Sequence, residues 1–511
     1  GHGIVGFITS NTYLDGITHR RMRESLMQAF DEIYILDLHG SSKKKERTPD
    51  GGKDENVFDI TVGVSILLAV RLAETASLSD GRAPARVFHA ELWGARKGKY
   101  DWLWQNDASQ TTWTKLAPTE PNFFFVPKDG GGRSEYEQGW SIRDAFLVSG
   151  NAVKTERDGL SIHFTEDGIR RMVEDFRTLD EKSIREKYAL ETDSRDWQVA
   201  KAKADVTANR QDTCFQFILY RPFDIRHTWY SGQSRGFIGT PAFPLMRHMT
   251  AGRNIALTCL RQTRRGETGT VFVGRGLICK DIVSPYDIGT VFPIYLYPAA
   301  DELGAFAGRR PNINPEFLKA LAEKLGLSQA GPHGLPQGVT PEDIFHYAYA
   351  VFHSPTYRTR YAEFLKIDFP RLPLTGNQDL FFRLAALGGD LVALHLMESP
   401  KLNNLITEFP VKGTDAVEKV QYNDKDERVW INPDQYFGGV PAAIWNFHIG
   451  GYQVCEKWLK DRKGRKLTYE DTRHYQRIVV ALNETIRDMT EIDEVIRQHG
   501  DWPAAFSGNN T

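Results

Sequence analysis

The chain has 511 residues, of which 41% are hydrophobic and 12% aromatic. This composition predicts a globular protein, and the length predicts about three domains. The net charge of −2 excludes a uniformly basic nucleic-acid-binding protein, so any nucleic-acid surface must be a local patch. The longest apolar run, residues 62–70, is too short to span a membrane. Four widely spaced cysteines predict a reducing, cytoplasmic location rather than a disulfide framework or a zinc site.

The first 112 residues predict an α/β sheet. Residues 3–10, 32–38 and 58–71 contain short apolar runs typical of buried strands, and residues 18–30 have helical spacing. A strand, a crossover helix and a parallel strand form the right-handed unit of a parallel sheet. Such a sheet needs more strands than these to be covered on both faces. We therefore expect a partial Rossmann-like sheet in the C-terminal part of a longer protein, with Gly1-His2 left over from cloning.

Residues 113–300 predict a mixed α/β region, and residues 301–511 predict a mainly helical one. Short apolar runs predict strands at residues 122–127, 159–164, 215–220, 254–260, 270–273 and 291–296. Periodicity predicts helices at residues 315–325, 341–352, 356–366, 379–397 and 469–498, and a polar turn predicts a hairpin within residues 419–432. The expected fold class is therefore α/β and α+β, in several domains.

Residues 40–57 form a long loop without periodicity between two predicted strands. Loops of this length in a compact domain are usually functional or disordered. Positive loops beside an α/β cleft bind phosphates without reading a base sequence, so we expect a nucleic-acid contact here. The alternative is a solvated loop, because its acidic residues nearly neutralise it. Its cations are Lys43, Lys44, Lys45, Arg47 and Lys53.

Two arginine clusters follow in the second half of the chain. In residues 220–230 (YRPFDIRHTWY), we expect Arg221 and Arg226 to be buried partners of Asp224 or another carboxylate. Residues 261–269 (RQTRRGETG) form a turn with glycine. Because arginine reads guanine through two hydrogen bonds, we expect this turn to be a recognition loop that faces DNA. Its cations are Arg261, Arg264 and Arg265.

Residues 450–465 (GGYQVCEKWLKDRKGR) predict a helix that ends in a cationic turn. By charge alone this turn is the strongest phosphate-binding candidate in the chain. The alternative is a purely local role, since cations at a helix C-terminus stabilise the helix itself. The cations are Lys457, Lys460, Arg462, Lys463 and Arg465.

Several segments resemble one family of enzymes. Residues 3–16 (GIVGFITSNTYLDG), 32–40 (EIYILDLHG) and 55–71 (ENVFDITVGVSILLAVR) resemble the later half of a γ-class N6-adenine DNA methyltransferase. They are more closely similar to the methyltransferase portion of single-polypeptide type I (type ISP) restriction–modification enzymes. Further segments that resemble this family, in its order and over nearly the whole chain, are residues 37–53, 90–100, 220–226, 293–298, 346–361 and 446–465.

The resemblance implies that residues 3–112 are the C-terminal half of the methyltransferase domain. Residues 113–300 and 301–511 would then be the mixed α/β part and the helical part of a target-recognition domain. It implies methyl transfer from S-adenosylmethionine to adenine in a specific double-stranded DNA sequence. It also implies that the same polypeptide carries the first methyltransferase half, a motor and a nuclease.

This chain lacks the family's Gly-rich cofactor segment and its Asn-Pro-Pro-Tyr-type loop. We therefore expect no cofactor bound to this chain and no methylation by it alone. An enzyme that methylates adenine in a duplex must flip the base out and hold it by stacking. In the family, an aromatic residue at the start of the last hairpin does so, and Phe58 matches that position. The alternative is a core phenylalanine that caps the sheet.

Other classes find less support. The sequence has no metal-ligand spacing, no phosphate loop and no nucleophile elbow, so hydrolase, protease and nucleotide-hydrolysing functions are not indicated. Besides a role as part of a methylating enzyme, two alternatives stay open for this chain. One is a stand-alone DNA-specificity or partner-docking module without catalysis, and the other is a purely structural module.

Overall fold

The computed structural model describes residues 2–43, 46–72, 83–127, 132–263, 267–298 and 308–507. The chain divides into two compact units, Gly1–Gly131 and Gly132–Thr511. The boundary lies beyond the predicted position at residue 112. The described residues show no division at residue 300, because residues on both sides of it share one hydrophobic core.

The first unit contains strands β1 (Gly3–Ser10), β2 (Glu32–Asp37), β3 (Val64–Arg71), β4 (Arg86–Glu91) and β5 (Thr114–Leu116). Its helices are α1 (Thr12–Asp15), α2 (Arg20–Ala29) and α3 (Arg96–Gln105), with a 3-10 turn at Ile17–His19.

These strands form one five-stranded sheet in the order β1-β3-β2-β4-β5. Strands β1 and β2 run in the same direction, as the strand–helix–strand pattern predicts. Strand β3 lies between them, however, and is antiparallel to both. Strands β2 and β4 are parallel neighbours, and β5 is antiparallel to β4. The prediction of a parallel sheet is therefore wrong, because the strand after the long loop inserts between the two earlier ones.

Both faces of this sheet carry a hydrophobic core, because successive side chains of a strand point to opposite faces. Ile33 and Ile35 of β2 pack on one face with Leu14 of α1 and Met27 of α2. Leu36 packs on the other face, where Trp102 of α3 joins it. Strand β1 forms an edge, and its apolar side chains are exposed, with 71% of Ile4 and 37% of Phe7 accessible.

The second unit begins with short elements and ends with the longest helix. Its strands are β6 (Trp140–Ser141), β7 (Gly150–Asn151), β8 (Ile162–His163), β9 (Phe215–Arg221), β10 (Asp224–Trp229), β11 (Ala256–Leu260), β12 (Val271–Gly274), β13 (Leu277–Ile278), β14 (Gly289–Pro293), β15 (Tyr295–Leu296), β16 (Arg310–Pro311), β17 (Arg371–Leu372), β18 (Gln421–Asn423), β19 (Arg428–Trp430), β20 (Tyr436–Gly438), β21 (His448–Ile449) and β22 (Tyr452–Gln453).

The helices of the second unit are α4 (Arg133–Gln138), α5 (Ile142–Ala145), α6 (Asp158–Ser161), α7 (Glu166–Thr178), α8 (Glu181–Lys187), α9 (Val199–Ala208), α10 (Phe243–Thr250), α11 (Pro315–Leu325), α12 (Pro341–His353), α13 (Pro355–Arg360), α14 (Ala362–Leu365), α15 (Gln378–His395), α16 (Ala442–Trp445), α17 (Val454–Lys460), α18 (Tyr469–Gln498) and α19 (Ala504–Ser507). Short 3-10 turns occur at Asp212–Cys214, Pro332–Gly334 and Pro400–Asn403.

Two four-stranded sheets organise the second unit, in the orders β13-β9-β10-β8 and β12-β11-β14-β7. The first sheet shares a core with α7, α9 and α17, while α11, α12 and α15 pack in a second core. Helix α18 belongs to both, since Ile478 lies in the first core and Ile492 in the second. Its start is fixed by a capping box in which the Thr468 hydroxyl accepts from the Asp471 amide at 3.0 Å. No helix within the described ranges is long and apolar enough to cross a membrane.

Candidate functional site

The long cationic loop of the first unit is more ordered than its sequence predicts. Arg47 and Lys53 face each other across a backbone bridge, and the Arg47 guanidinium donates to the Gly51 carbonyl at 3.1 Å. The Lys53 ammonium lies 2.9 Å from a Glu55 carboxylate oxygen. Lys43 is exposed, whereas Lys44 and Lys45 lie outside the described residues. The loop therefore presents some of the predicted cations, and one of them has an acidic partner.

A buried lysine holds this loop against the sheet. The side chains of Lys99, on α3, and Asp54, on the loop, are both 0% exposed, and their charged atoms are 2.8 Å apart. The Lys99 ammonium also donates to the carbonyls of Leu38 and Glu55, each at 2.7 Å. Lys99 thereby ties helix α3 to the end of β2. Nothing in the sequence distinguishes Lys99 from the exposed Lys97 two positions earlier.

Phe58 lies six residues before β3 rather than at its start. Its side chain is 42% exposed, so the alternative of a core phenylalanine is excluded. The surrounding backbone is well fixed, because the Arg96 guanidinium donates to the Phe58 carbonyl at 3.0 Å and the Tyr100 hydroxyl donates to the Val57 carbonyl at 2.5 Å. The structure thus presents an accessible aromatic ring on an anchored segment.

One cluster in the first unit was not predicted as a site. It joins two segments that carry the family resemblance, DLHG at the end of β2 and ELWG at the end of β4. The rings of His39 and Trp93 are stacked with centroids 3.3 Å apart, and His39 Nε2 lies 3.6 Å from a Glu91 carboxylate oxygen. His39 has a left-handed backbone (φ 50°), and its amide donates to Asp37 at 3.0 Å. These residues lie at the carboxyl ends of the parallel strands β2 and β4, where open α/β sheets usually bind ligands.

In the second unit, one of the predicted DNA-contact residues is part of the core. The side chain of Arg462 is only 7% exposed, and its guanidinium lies 3.0 Å from Asp224. Arg226 contacts the other oxygen of Asp224 at 2.6 Å, as the prediction of a structural role for Arg226 requires. Burial opposes the charged form of Asp224, yet the guanidinium groups of Arg462 and Arg226 hold its pKa below the usual value. Arg462 is therefore not available to contact DNA at the surface, because its buried charge must stay paired with Asp224.

The remaining cations of this turn differ in their availability. Lys457 pairs with Asp461, and Lys460 lies 2.9 Å from Glu456. Lys463 and Arg465 are exposed, and among the described residues neither has a carboxylate within ion-pair distance. The turn thus presents two unpaired cations where the sequence predicts five.

The predicted recognition loop is described only in part. Arg261 is exposed and lies 3.3 Å from Asp368, and Arg264 and Arg265 lie outside the described residues.

A cavity of about 460 Å³ opens beside the cationic turn. It lies between the sheet edge at β8, the first turns of α7 and Arg465. The residues that characterise it are Asp158, Phe164, Arg171, Tyr220, Arg226 and Arg465. Burial lowers the pKa of His163, which also lines it, so this ring is neutral near pH 7. The cavity brings together a predicted cation, Arg465, and residues that the sequence did not connect with it.

A family model described as "Type ISP C-terminal specificity domain" matches residues 144–491. Among curated proteins, no sequence matches the chain.

Solved structures with the same fold come from larger proteins. A cryoEM structure of a DrdV–DNA complex matches with a TM-score of 0.69 and 20% identity, over 96% of this chain and 50% of that one. The ATP-dependent Type ISP restriction-modification enzyme LlaBIII, bound to DNA, matches with a TM-score of 0.69 and 19% identity, over 97% of this chain and 33% of that one. A nuclease-deletion mutant of the Type ISP enzyme LlaGI, in complex with a DNA substrate mimic, matches with a TM-score of 0.65 and 18% identity, over 96% and 39%. The chain thus spans half or less of each of these proteins.

Proposed function

Because the chain belongs to the Type ISP C-terminal specificity domain family, we propose that residues 132–511 recognise a specific DNA sequence within a restriction–modification enzyme. The family match over residues 144–491 carries this proposal. The fold shared with three proteins solved with DNA or a DNA mimic supports it. A sequence-selective surface on a neutral protein needs local cations for phosphates and side chains that reach base edges. We propose that Lys463 and Arg465 contact phosphates and that Arg261 contacts base edges.

We further propose that the first unit is the second half of an adenine methyltransferase domain. Its mixed sheet ends in β1, whose apolar side chains face solvent, and an open edge of this kind accepts a further strand. The accessible ring of Phe58 suits stacking on a flipped adenine. The loop cations Lys43, Arg47 and Lys53 would contact phosphates beside it.

The described residues do not fit S-adenosylmethionine. No glycine-rich turn follows β1, and the carboxyl ends of β2 and β4 carry the rings of His39 and Trp93 stacked on each other. No step of methyl transfer is therefore assigned to this chain. The cofactor would be held by another part of the whole enzyme, which would also contain the motor and the nuclease. A cytoplasmic location stays a prediction.

Selection from a random duplex library at two salt concentrations tests the proposal. The retained molecules are sequenced, and the expected result is enrichment of one short asymmetric site at both salt concentrations. Salt-sensitive binding without enrichment would contradict sequence recognition, because phosphate contacts alone carry no sequence information. A complete lack of binding would favour the partner-docking alternative.

A further inference from the structure

The cavity beside the cationic turn contains two guanidinium groups without an acidic partner. Arg465 and Arg171 are both exposed, and no carboxylate among the described residues lies within ion-pair distance of either. Within the part of the chain that the structure describes, the Arg171 side chain donates only to the Asp167 carbonyl, at 3.2 Å. Two unpaired arginines on one concave surface make a local positive potential, although the whole chain has a net charge of −2.

The other charges that line this cavity are already engaged. Arg226 is paired with Asp224, a carboxylate that it shares with Arg462, and it also lies 3.4 Å from Asp461. The Asp158 carboxylate accepts hydrogen bonds from Thr155 and, at 3.1 Å, from the Tyr220 hydroxyl. It also lies 3.9 Å from Arg221. The available charge therefore belongs to Arg171 and Arg465, and the cavity attracts an anion.

The aromatic rings of the cavity are covered, which argues against a nucleobase as the ligand. The guanidinium carbons of Arg226 and Arg465 lie 4.1 and 4.0 Å from the centre of the Phe164 ring. Those of Arg221 and Arg226 lie 3.8 and 4.2 Å from the centre of the Tyr220 ring. A base would have to displace an arginine before it could stack. A guanidinium that packs by its face keeps its in-plane N–H donors, and these match phosphate oxygens.

We propose that this cavity binds one phosphate group, held by Arg171 and Arg465, and that in the intact protein this is a backbone phosphate of the DNA. The inference rests on the proposed function and adds a specific anchoring point to it. A phosphate contact fixes the register of a protein on DNA without reading a base. The cavity therefore positions the neighbouring recognition surface and leaves the choice of sequence to other residues.

The test compares wild type, R465Q, R171Q and a control, K319Q, by DNA affinity over a series of salt concentrations. Lys319 is an exposed cation on α11, a helix of the other core. Each arginine variant is expected to weaken binding to all sequences about tenfold, as the loss of a charge-assisted hydrogen bond predicts. The magnitude of the negative slope of log affinity against log salt should decrease by about 0.9 for the lost phosphate. The sequence selected from the library should not change, and K319Q should match wild type. R465K keeps the charge without the paired donors and should recover part of the affinity.

The outcomes separate this proposal from the function on which it rests. Wild-type affinity and salt slope in both R465Q and R171Q would overturn the phosphate site while leaving DNA recognition intact. A changed target sequence in R465Q would also overturn it, since Arg465 would then read a base. A wild-type chain that binds no DNA would overturn both proposals. Inorganic phosphate at constant ionic strength identifies the source of the anion. If inorganic phosphate competes with DNA for the wild type but not for R465Q, the site also binds free phosphate. If inorganic phosphate does not compete, the site binds only a phosphate of the DNA backbone.

Discussion

Replacing Asp224 with asparagine should strongly destabilise the second unit. The substitution keeps the shape of the side chain and leaves two buried guanidinium groups without their main counter-charge. At an effective dielectric constant near 20, each of these contacts at 2.6 and 3.0 Å is worth about 6 kcal/mol, most of which offsets desolvation. Removing one partner of a buried pair costs about 3–5 kcal/mol. Asp461, 3.4 Å from Arg226, and Asp471, 3.6 Å from Arg462, retain part of the compensation, so we expect about 3 kcal/mol.

Urea unfolding of the wild type, D224N and a matched control measures this difference. Asp424 lies in the exposed turn between β18 and β19, and D424N should change the free energy of unfolding by less than about 0.5 kcal/mol. The folded-state pKa of Asp224 is lowered, so its contribution is complete above the unfolded-state value of about 3.9 and is lost as the pH falls below it. The difference in unfolding free energy between wild type and D224N should therefore be constant near neutral pH and decrease below about pH 4. A loss under about 1 kcal/mol at pH 7 would refute the reasoning.

Two further substitutions test the first unit. K99M leaves Asp54 buried without its partner and should lower the free energy of unfolding by about 3–5 kcal/mol. The control is K97Q, on the exposed face of the same helix, which should lower it by less than about 0.5 kcal/mol. Equal effects of the two variants in thermal denaturation would show that the loop does not depend on Lys99. F58A in the intact enzyme should lower adenine methylation about tenfold to a hundredfold, the range expected for loss of base stacking, with an unchanged melting temperature. I60A, at the 49% exposed position two residues later, is the control, and F58A methylation equal to that of I60A would exclude stacking.

Local signals in the sequence predicted many elements of the second unit. Helices α11 and α18 begin and end at the predicted residues, and Thr468 and Asp471 form the expected capping box. The strand predicted at residues 122–127 is wrong, because Phe125 is buried in an irregular segment of the first unit. In that case, hydrophobic content indicated burial correctly but did not determine the backbone conformation.

The face of α2 could not be read from its spacing. The helical spacing of residues 18–30 places Met22, Leu26 and Phe30 on one apolar face, yet Met22 is 41% exposed and the side chain of Arg23 is fully buried. The Arg23 guanidinium donates to the carbonyls of Tyr13 and Gly16, at 2.5 and 2.8 Å. These acceptors lie outside α2, so the periodicity of the helix contains no signal for them.

The sequence by itself indicated where many of the elements lie, where charge is concentrated and which family the segments resemble, because these depend on residues close together in the chain. Only the tertiary structure decided which charges are available. Arg462 and Arg465 share one cationic turn, but Asp224, more than two hundred positions away, withdraws Arg462 into the core. Arg465 instead lines a cavity with Arg171 of helix α7. Burial and pairing are set by long-range packing, and a single local pattern of charges is compatible with either outcome.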